Sequence, residues 1–480
     1  MLKYEKLTQQ EHVLKRPEMY IGNMHPSEVS TFIYDEEKKK IIQKDIVVVD
    51  GLIRVFIEPL SNAIDNMIRS KEFNIPAKYI KVKIEEDRIT IINDGYTIPI
   101  EHHETEKNIY IPEMLFGQLM TSSNYNDKEQ RYTSGKNGIG VSCTNLFSKE
   151  FEIECVDTKT QKKYIQKWTD NMTNVSKPKI TSCKTKYGYT SVSWKVDFDR
   201  FGVKEYSPDM INLFRRYLID TCMITKLDVY FNDEKIQIKT LLDYSKMFNI
   251  VNENELLLFK DDKYEVVLGT SVTGNFEQVS FVNGIHTKNG GIHVDSAVTS
   301  LIKPICEKLT KSKKDINIKE LKTLFVLFVN VTLPNPEFSS QSKTKLTAPN
   351  IKIQSITSAN ISKILKWETI EQGIQSFISV KEITTMKKTE KKNKVFKAIA
   401  GYDPANMIKK KPEECTLILC EGLSAKTFAV TGITVGIDNK KGRDYWGIYA
   451  LRGKLLNTRN SNTAQITKNK EIVDMIQILN

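Results

Sequence analysis

The sequence predicts a multidomain chain that mixes α+β and α/β folds. Its 480 residues suffice for about three domains, each with its own core. Short alternating stretches such as Ile80–Ile84 and Thr190–Val196 read as strands around helix-period segments. The apolar, β-branched run Leu321–Val331 reads as a buried central strand. Lys and Arg number 71 against 59 Asp and Glu, a net charge of +12 with pI about 9.0, which suits a polyanionic partner. Seven cysteines are scattered without a C-x-x-C pair, which points to reduced thiols rather than disulfides or zinc. No apolar run reaches membrane-spanning length and the first residues lack a signal-peptide core. The expectation is a soluble intracellular protein with no membrane partner.

The opening residues read as an arm leading into a short helix that stops before Pro17, followed by a turn through Tyr20-Ile-Gly22. The stretch Glu58–Arg69 then carries two faces. Leu60, Ile64, Met67 and Ile68 recur at helical spacing as a buried face, and Glu58, Asn62, Asp65, Asn66 and Arg69 form a second stripe. Asn and Asp are poor helix formers. Two amides, two carboxylates and an Arg on one stripe suit a phosphate with a divalent metal, the carboxylate taking a proton from water and amide oxygens serving as hard ligands. The polar face of a surface helix has the same pattern.

Ile80–Ile84 and Ile89–Ile92 read as strands around an acidic turn, running into Asn93-Asp-Gly95. There Asp94 offers an acceptor for an exocyclic amine, and Gly95 lets a planar ring approach the backbone; an ordinary turn explains Asp-Gly equally well. Thr133-Ser-Gly-Lys-Asn-Gly-Ile-Gly-Val141 has three glycines in six residues with Lys136 among them. Such a loop can wrap phosphates before a helix N-terminus, although it is not a Walker loop and a surface lid reads the same way.

Beyond it, Leu227–Phe231 reads as a further strand of the first domain, with a boundary near residue 243. Tyr264–Leu268 and Gln278–Asn283 read as strands, Gly290-Gly291 as a turn and about Val294 to Leu309 as a helix. With Leu321–Val331 they suggest an α/β module with a right-handed crossover. A helix follows at about Ile361–Val380, then basic runs at Lys387–Lys394 and Lys409–Lys411, and Cys415–Ala425 reads as a buried strand that delivers Glu421 at its C-terminal end.

The polar helix, the Asp-Gly strand end and the Gly-rich loop, in this order, resemble the nucleotide-binding fold shared by gyrase, Hsp90, histidine kinases and MutL. Tyr20-Ile-Gly22, Phe116-Gly-Gln-Leu, Thr121-Ser-Ser-Asn-Tyr125, Gly135-Lys-Asn-Gly-Ile-Gly140 and Gln166-Lys-Trp-Thr-Asp-Asn-Met172 resemble the eukaryotic-type type IIA DNA topoisomerases, over nearly the whole chain. The resemblance implies a GHKL (Bergerat) ATPase sandwich with an N-terminal arm at 1–243, a ribosomal-S5-like transducer at 244–384, a basic linker at 385–412 and an incomplete Toprim domain at 413–480.

It implies roles as well. Glu58 is the expected general base and Asn62 the expected ligand of Mg²⁺. Asn66 belongs to the ATP site. Asp94 contacts the adenine amine. Ser122, Ser123 and Asn124 touch ribose and phosphate. Gly135, Lys136, Asn137, Gly138, Ile139 and Gly140 wrap the triphosphate, and Tyr4 reaches the nucleotide of a second protomer. Gln341-Ser-Lys343 matches the transducer-loop motif, with Lys343 on the γ-phosphate, where a cation meets developing charge. Lys311, Lys313 and Lys314 match a DNA-sensing loop, and Glu421 the Toprim ligand of a second Mg²⁺.

Several departures bear on the site. Pro59 should bend or restart the helix, Thr97 in place of a glycine should tighten the adenine pocket, and Ser142 stands where many members carry a lysine. Leu423 replaces the usual Toprim Asp. The chain ends before the Asp-x-Asp pair and the nucleophilic tyrosine, which reads as a truncated piece rather than one part of a split enzyme. The implied activity is that of an ATP-hydrolysing clamp that dimerises on ATP around double-stranded DNA without cleaving it. The alternatives are a nucleotide-gated clamp with little hydrolysis, or an Hsp90-type chaperone. The compartment implied is the nucleus or a viral cytoplasmic factory.

Overall fold

The computed structural model describes residues 6–121, 138–312, 316–340, 343–390, 399–434, 442–453, 455–457 and 469–479. Two compact units emerge, Met1–Cys306 with Leu321–Ser362, and Glu307–Glu320 with Lys363–Asn480. Among the described residues no helix is long and apolar enough to cross a membrane, and all seven cysteines are free.

In the first unit, helix α1 (Gln9–Lys15) starts at a capping box, with Thr8 Oγ1 accepting from the Glu11 amide and the Glu11 carboxylate accepting from the Thr8 amide. It ends before Pro17, as expected. The hairpin of β1 (Ser27–Asp35) and β2 (Lys40–Val48) leads into α2, which runs unbroken from Asp50 to Glu72. The expected restart at Pro59 does not occur. The carbonyl that Pro59 cannot serve, that of Val55, accepts instead from Thr144 Oγ1 at 3.0 Å in a fully buried contact, so the lost helix bond is replaced from outside. The helix stops at Phe73, beside Asn74 at φ 55°.

Next come β3 (Tyr79–Ile84), β4 (Arg88–Asp94), α3 (Ile111–Gly117), α4 (Gly140–Leu146), β5 (Ser148–Asp157), β6 (Lys162–Thr169), β7 (Asn174–Val175), β8 (Lys179–Ser182), β9 (Tyr189–Val196), α5 (Pro208–Thr225), β10 (Asp228–Phe231) and β11 (Glu234–Lys235). The strands β3 to β11 form one nine-stranded sheet in the order β11-β10-β3-β4-β9-β5-β6-β7, with β8 also on β6. It is antiparallel except where β10 joins β3. Alternation decides which face is dry: Ile89, Ile91 and Asn93 of β4 and Val192, Trp194 and Val196 of β9 turn inward. Helices α2, α4 and α5 lie on that inner side, with Phe56 of α2 stacked on Phe214 of α5 at 4.1 Å.

Helix α6 (Leu241–Lys246) leads to a second sheet of β12 (Val251–Lys260), β13 (Tyr264–Ser271), β14 (Glu277–Val282), β15 (Ile285–His286) and β16 (Phe325–Val331), ordered β12-β13-β16-β14-β15. Strand β16 is central and nearly all buried, as its composition predicts, but it starts at Phe325; Leu321 and Lys322 end a helix instead. Between β14 and its parallel neighbour β16 lie α7 (Ile292–Ala297), a π-helical stretch Val298–Ile302, α8 (Lys303–Lys311) and α9 (Ile318–Lys322). The two sheets share a core. Phe248 packs edge-on against Phe32 of the hairpin and Phe328 of β16, at 5.2 and 5.1 Å. Beside it, Arg216 of α5 pairs with Asp220 at 3.1 Å, and Tyr244 of α6 donates to Asp220 at 2.6 Å, all buried. Burial pushes the Asp220 carboxyl up to about 6 against the pull of Arg216. The hairpin of β17 (Glu337–Phe338) and β18 (Leu346–Ala348) extends from this unit.

The expected helical stretch at 361–380 consists of two helices, α10 (Ser358–Ile364) and α11, which runs from Glu368 to Glu390. The second unit also holds β19 (Tyr402–Asp403), β20 (Thr416–Glu421), α12 (Gly422–Thr434), β21 (Trp446–Leu451) and α13 (Lys470–Leu479), with strand order β19-β21-β20. The expected buried strand is β20, but of its six residues only Cys420 is buried. It lies at the sheet edge, and Leu419, Leu423 and Phe428 stay exposed.

Candidate functional site

A cavity of about 800 Å³ opens in the first unit, and the polar stripe of α2 is one wall: Glu58, Asn62, Asp65, Asn66 and Arg69 all line it. The opposite face of the same helix buries Leu60, Ile64 and Met67. The stripe is therefore a cavity wall, with Asp65 and Asn66 buried and Asn62 exposed. Facing it are Ile91 and Asn93 of β4, Thr190 and Val192 of β9, the segment Gly138–Val141, and Lys343.

Glu58 stands where α2 meets the start of α4. Arg54, one turn earlier on α2, places Nε at 2.6 Å from Glu58 Oε1. The second oxygen, Oε2, lies so close to Gly140 that a Cβ there would sit 1.7 Å from it. A side chain at Gly140 would displace the carboxylate from this position at the start of α4. Gly138, at φ 60°, has a similar constraint, since its Cβ would fall 2.3 Å from the Thr121 carbonyl, and its own carbonyl accepts from the Thr121 amide at 3.1 Å. Burial first, and then the Glu58 charge, push the Cys143 thiol up to about 12, so this cavity residue is inert at neutral pH.

Lys343 comes from the β17–β18 turn with φ 56°, its amide donating to the Ser340 carbonyl at 3.0 Å. The turn is fastened to the second sheet where the Asn289 amide donates to the Thr344 carbonyl and the Leu346 amide to the Gly290 carbonyl, at 2.9 and 3.1 Å.

Of the nominated residues, Glu58, Asn62, Asn66, Gly138, Ile139, Gly140 and Lys343 share this cavity. Asp94 is absent from its lining. Its Oδ1 accepts from the amides of Lys78 and Tyr79 at 2.8 and 3.0 Å, while Asn66 Nδ2 donates to its carbonyl at 3.1 Å. Gly95 faces α2 rather than a ring: at φ 103° its Cβ would lie 2.3 Å from Ser70 Oγ, which accepts from the Tyr96 amide. Thr97 does not narrow the cavity; it turns away to donate to Asp157 Oδ1 at 2.9 Å. Ser142 is buried and donates to the Gln118 carbonyl at 2.7 Å.

Lys311 and Glu421 belong to the second unit, each exposed. Among the described residues no group of three His, Cys, Asp or Glu could hold a metal ion. Tyr4, Ser122, Ser123, Asn124, Gly135, Lys136, Asn137, Lys313, Lys314 and Gln341 lie outside the described residues.

Sequence reasoning missed Arg54 and Asn93. Arg54 continues the stripe one turn upstream at the same four-residue spacing, and strand alternation puts Asn93, not Asp94, on the inward parity of Ile89 and Ile91. A carboxylate held beside a glycine-lined helix start, an amide-rich wall and a lysine at one end can bind a polyphosphate and take a proton from water.

Comparisons with known proteins bear on the fold and the family. The DNA gyrase B family model matches residues 228–397. The chain is 40% identical to DNA topoisomerase 2 of Invertebrate iridescent virus 6 over 99% of its own length and 44% of that protein's, so it spans under half of that curated relative. Among solved structures, the ATPase region of Saccharomyces cerevisiae topoisomerase II matches with TM-score 0.69 and 37% identity, over 76% of this chain and 96% of that one. The ATPase and transducer domains of DNA topoisomerase II from Balamuthia mandrillaris match with TM-score 0.72 and 31% identity, over 79% and 98%. The two sheets of the first unit thus have the GHKL ATPase and transducer fold, and the chain belongs to the type II DNA topoisomerase family.

Proposed function

We propose that this chain is the ATP-operated clamp region of a type II topoisomerase. It binds ATP in the α2 cavity, hydrolyses it with Glu58 as general base, and dimerises on ATP to capture a DNA duplex. One observation carries the reading: a lysine from the β17–β18 hairpin, which is bonded to the segment that follows β15, lines the same cavity as the α2 carboxylate, 285 positions earlier in the chain. A cavity serving only the first sheet would not need it. Lys343 at the phosphate end supplies positive charge where negative charge develops, and hydrolysis would remove the group that holds its turn, passing nucleotide state to the second sheet.

The donor set suits Mg²⁺. That ion keeps several waters and takes few protein ligands when phosphates supply the rest, so an amide such as Asn62 on the cavity wall suffices where no carboxylate cage exists among the described residues. When bound, Mg²⁺ would neutralise phosphate charge. Asn93 and Asn66 of the same cavity would serve the base, Ser122, Ser123 and Asn124 would touch ribose and phosphate, and Gly135, Lys136 and Asn137 would help to wrap the triphosphate. Lys311 with its neighbours would face the duplex, Glu421 would serve the cleavage metal of the longer protein, and the arm with Tyr4 would cross to a second protomer in the nucleus or a viral factory. Hydrolysis is favoured over a clamp without turnover because Pro59 leaves α2 continuous and Thr97 turns away from the cavity.

The test is ATP binding and turnover by the full chain and by Glu58→Gln. Binding retained with turnover lost supports the reading; absence of nucleotide binding, or undiminished turnover in the variant, overturns it.

A further inference from the structure

The contact between Arg54 and Glu58 is more than helix decoration. An Arg–Glu pair at i, i+4 stabilises an isolated helix weakly, and less well when the cation comes first, as here. The pair is also mostly withdrawn from solvent, with side chains 22% and 19% exposed, and both line the cavity. A guanidinium is a fixed charge that donates and never accepts. It cannot relay a proton from Glu58. What it can do is fix orientation.

The geometry is specific on that point. Arg54 Nε occupies Glu58 Oε1 at 2.6 Å, and this leaves Oε2 as the oxygen packed beside Gly140, where α4 begins. The backbone of α2 at this point is held independently, through the Thr144 hydroxyl on the Val55 carbonyl. Main chain and carboxylate therefore have separate anchors, and only the second is Arg54.

We infer that Arg54 is a positioning residue for hydrolysis: it clamps Glu58 Oε1 so that Oε2 faces the water that attacks the terminal phosphate at the Gly140 end of the cavity. The inference rests on the reading of Glu58 as general base. In that step the water oxygen forms the new bond to the terminal phosphorus, the bridging P–O bond breaks with its electron pair leaving on ADP, and the water proton passes to Glu58 Oε2. A carboxylate free to rotate spends less time in line with that water, so the loss should fall on turnover and not on nucleotide affinity.

The experiment measures kcat and KM for ATP with the full chain as Arg54→Met, Arg54→Lys, Glu58→Gln and the Arg54→Met/Glu58→Gln double variant, with thermal melts of each. Arg54→Met should lower kcat roughly 10- to 100-fold, the scale of a misplaced catalytic group, with KM moved less than about threefold. Arg54→Lys should recover most of the loss, because an ammonium restores a charge-assisted hydrogen bond; a purely structural defect would appear in the melts and would not follow the charge. In the Glu58→Gln background, Arg54→Met should cost nothing further. The inference fails if Arg54→Met leaves kcat unchanged, if the loss lies in KM, which would make Arg54 a phosphate ligand, or if Arg54→Met costs as much without Glu58. Normal turnover in Glu58→Gln would remove the base itself, and the inference with it, whereas a dead Glu58→Gln beside an unaffected Arg54→Met removes the inference alone.

Discussion

Glu58 and Glu421 are both carboxylates nominated from sequence, and their surroundings could hardly differ more. Glu58 sits on a 23-residue helix, in ion-pair contact with Arg54, packed against Gly140, in a cavity that Lys343 also lines. Glu421 ends an edge strand, exposed, in a unit whose described core cluster centres on Cys420, Ile433 and Ile448. Leu423 and Phe428, 71% and 82% exposed, follow directly on α12. Reactivity comes from convergence. Around Glu58, α2 and the start of α4 close on a cavity that Lys343 also lines, while Glu421 ends an exposed edge strand with Leu451 of β21 as its register partner.

The largest effect should come from Glu58. Glu58→Gln keeps the shape and removes the base, and a fall in ATP turnover of roughly 10²- to 10⁴-fold is expected, with equilibrium nucleotide binding preserved. A smaller fall would reduce the contrast between the two carboxylates to one of burial alone. Lys343→Met comes next, with an expected loss of about 10²-fold in kcat, the scale of one preorganised donor, read in single-turnover assays that separate chemistry from release.

Two threonines sharpen the comparison on stability. Thr144→Val strips the Val55 carbonyl of the partner that Pro59 cannot be, at an expected cost of about 1–3 kcal/mol. Thr427, whose hydroxyl donates to the Leu423 carbonyl on exposed α12, should tolerate the same change within about 0.5 kcal/mol. Denaturant midpoints for the two variants measure both; equal costs would mean that the buried bond carries no special load.

The smallest effect is a pH dependence. Burial raises the Asp157 carboxyl, but bonds from Thr160, the Lys159 amide and Thr97 outweigh it, so its pKa is lowered overall. A lowered carboxylate lends stability above its unfolded pKa, about 3.9, and loses it as pH falls through the folded value. Thr97→Val should therefore flatten the acid side of a melting-temperature profile below about pH 5, and an unaltered profile would separate Thr97 from that carboxylate.

Much of the site was legible because it obeys local periods. The α2 stripe was visible from spacing, and all five of its polar members line the cavity. Arg54 was legible by the same rule, one turn earlier, and the parity of β4 distinguished Asn93 from Asp94. Lys343 had no local signature and came only from the resemblance. The Thr144 bond to Val55 was invisible for a different reason: it joins residues 89 apart, and nothing near Pro59 announces which residue replaces its missing donor. The β20 strand misled because its apolar sequence fits a buried strand, whereas burial depends on neighbours that a strand's own composition does not name.

The most direct test of the clamp is steady-state ATP hydrolysis as a function of protein concentration, with and without linear duplex DNA. Specific activity that climbs with concentration and rises again with DNA is the predicted result, since closure would need two protomers and a captured duplex. Specific activity independent of both would contradict the account.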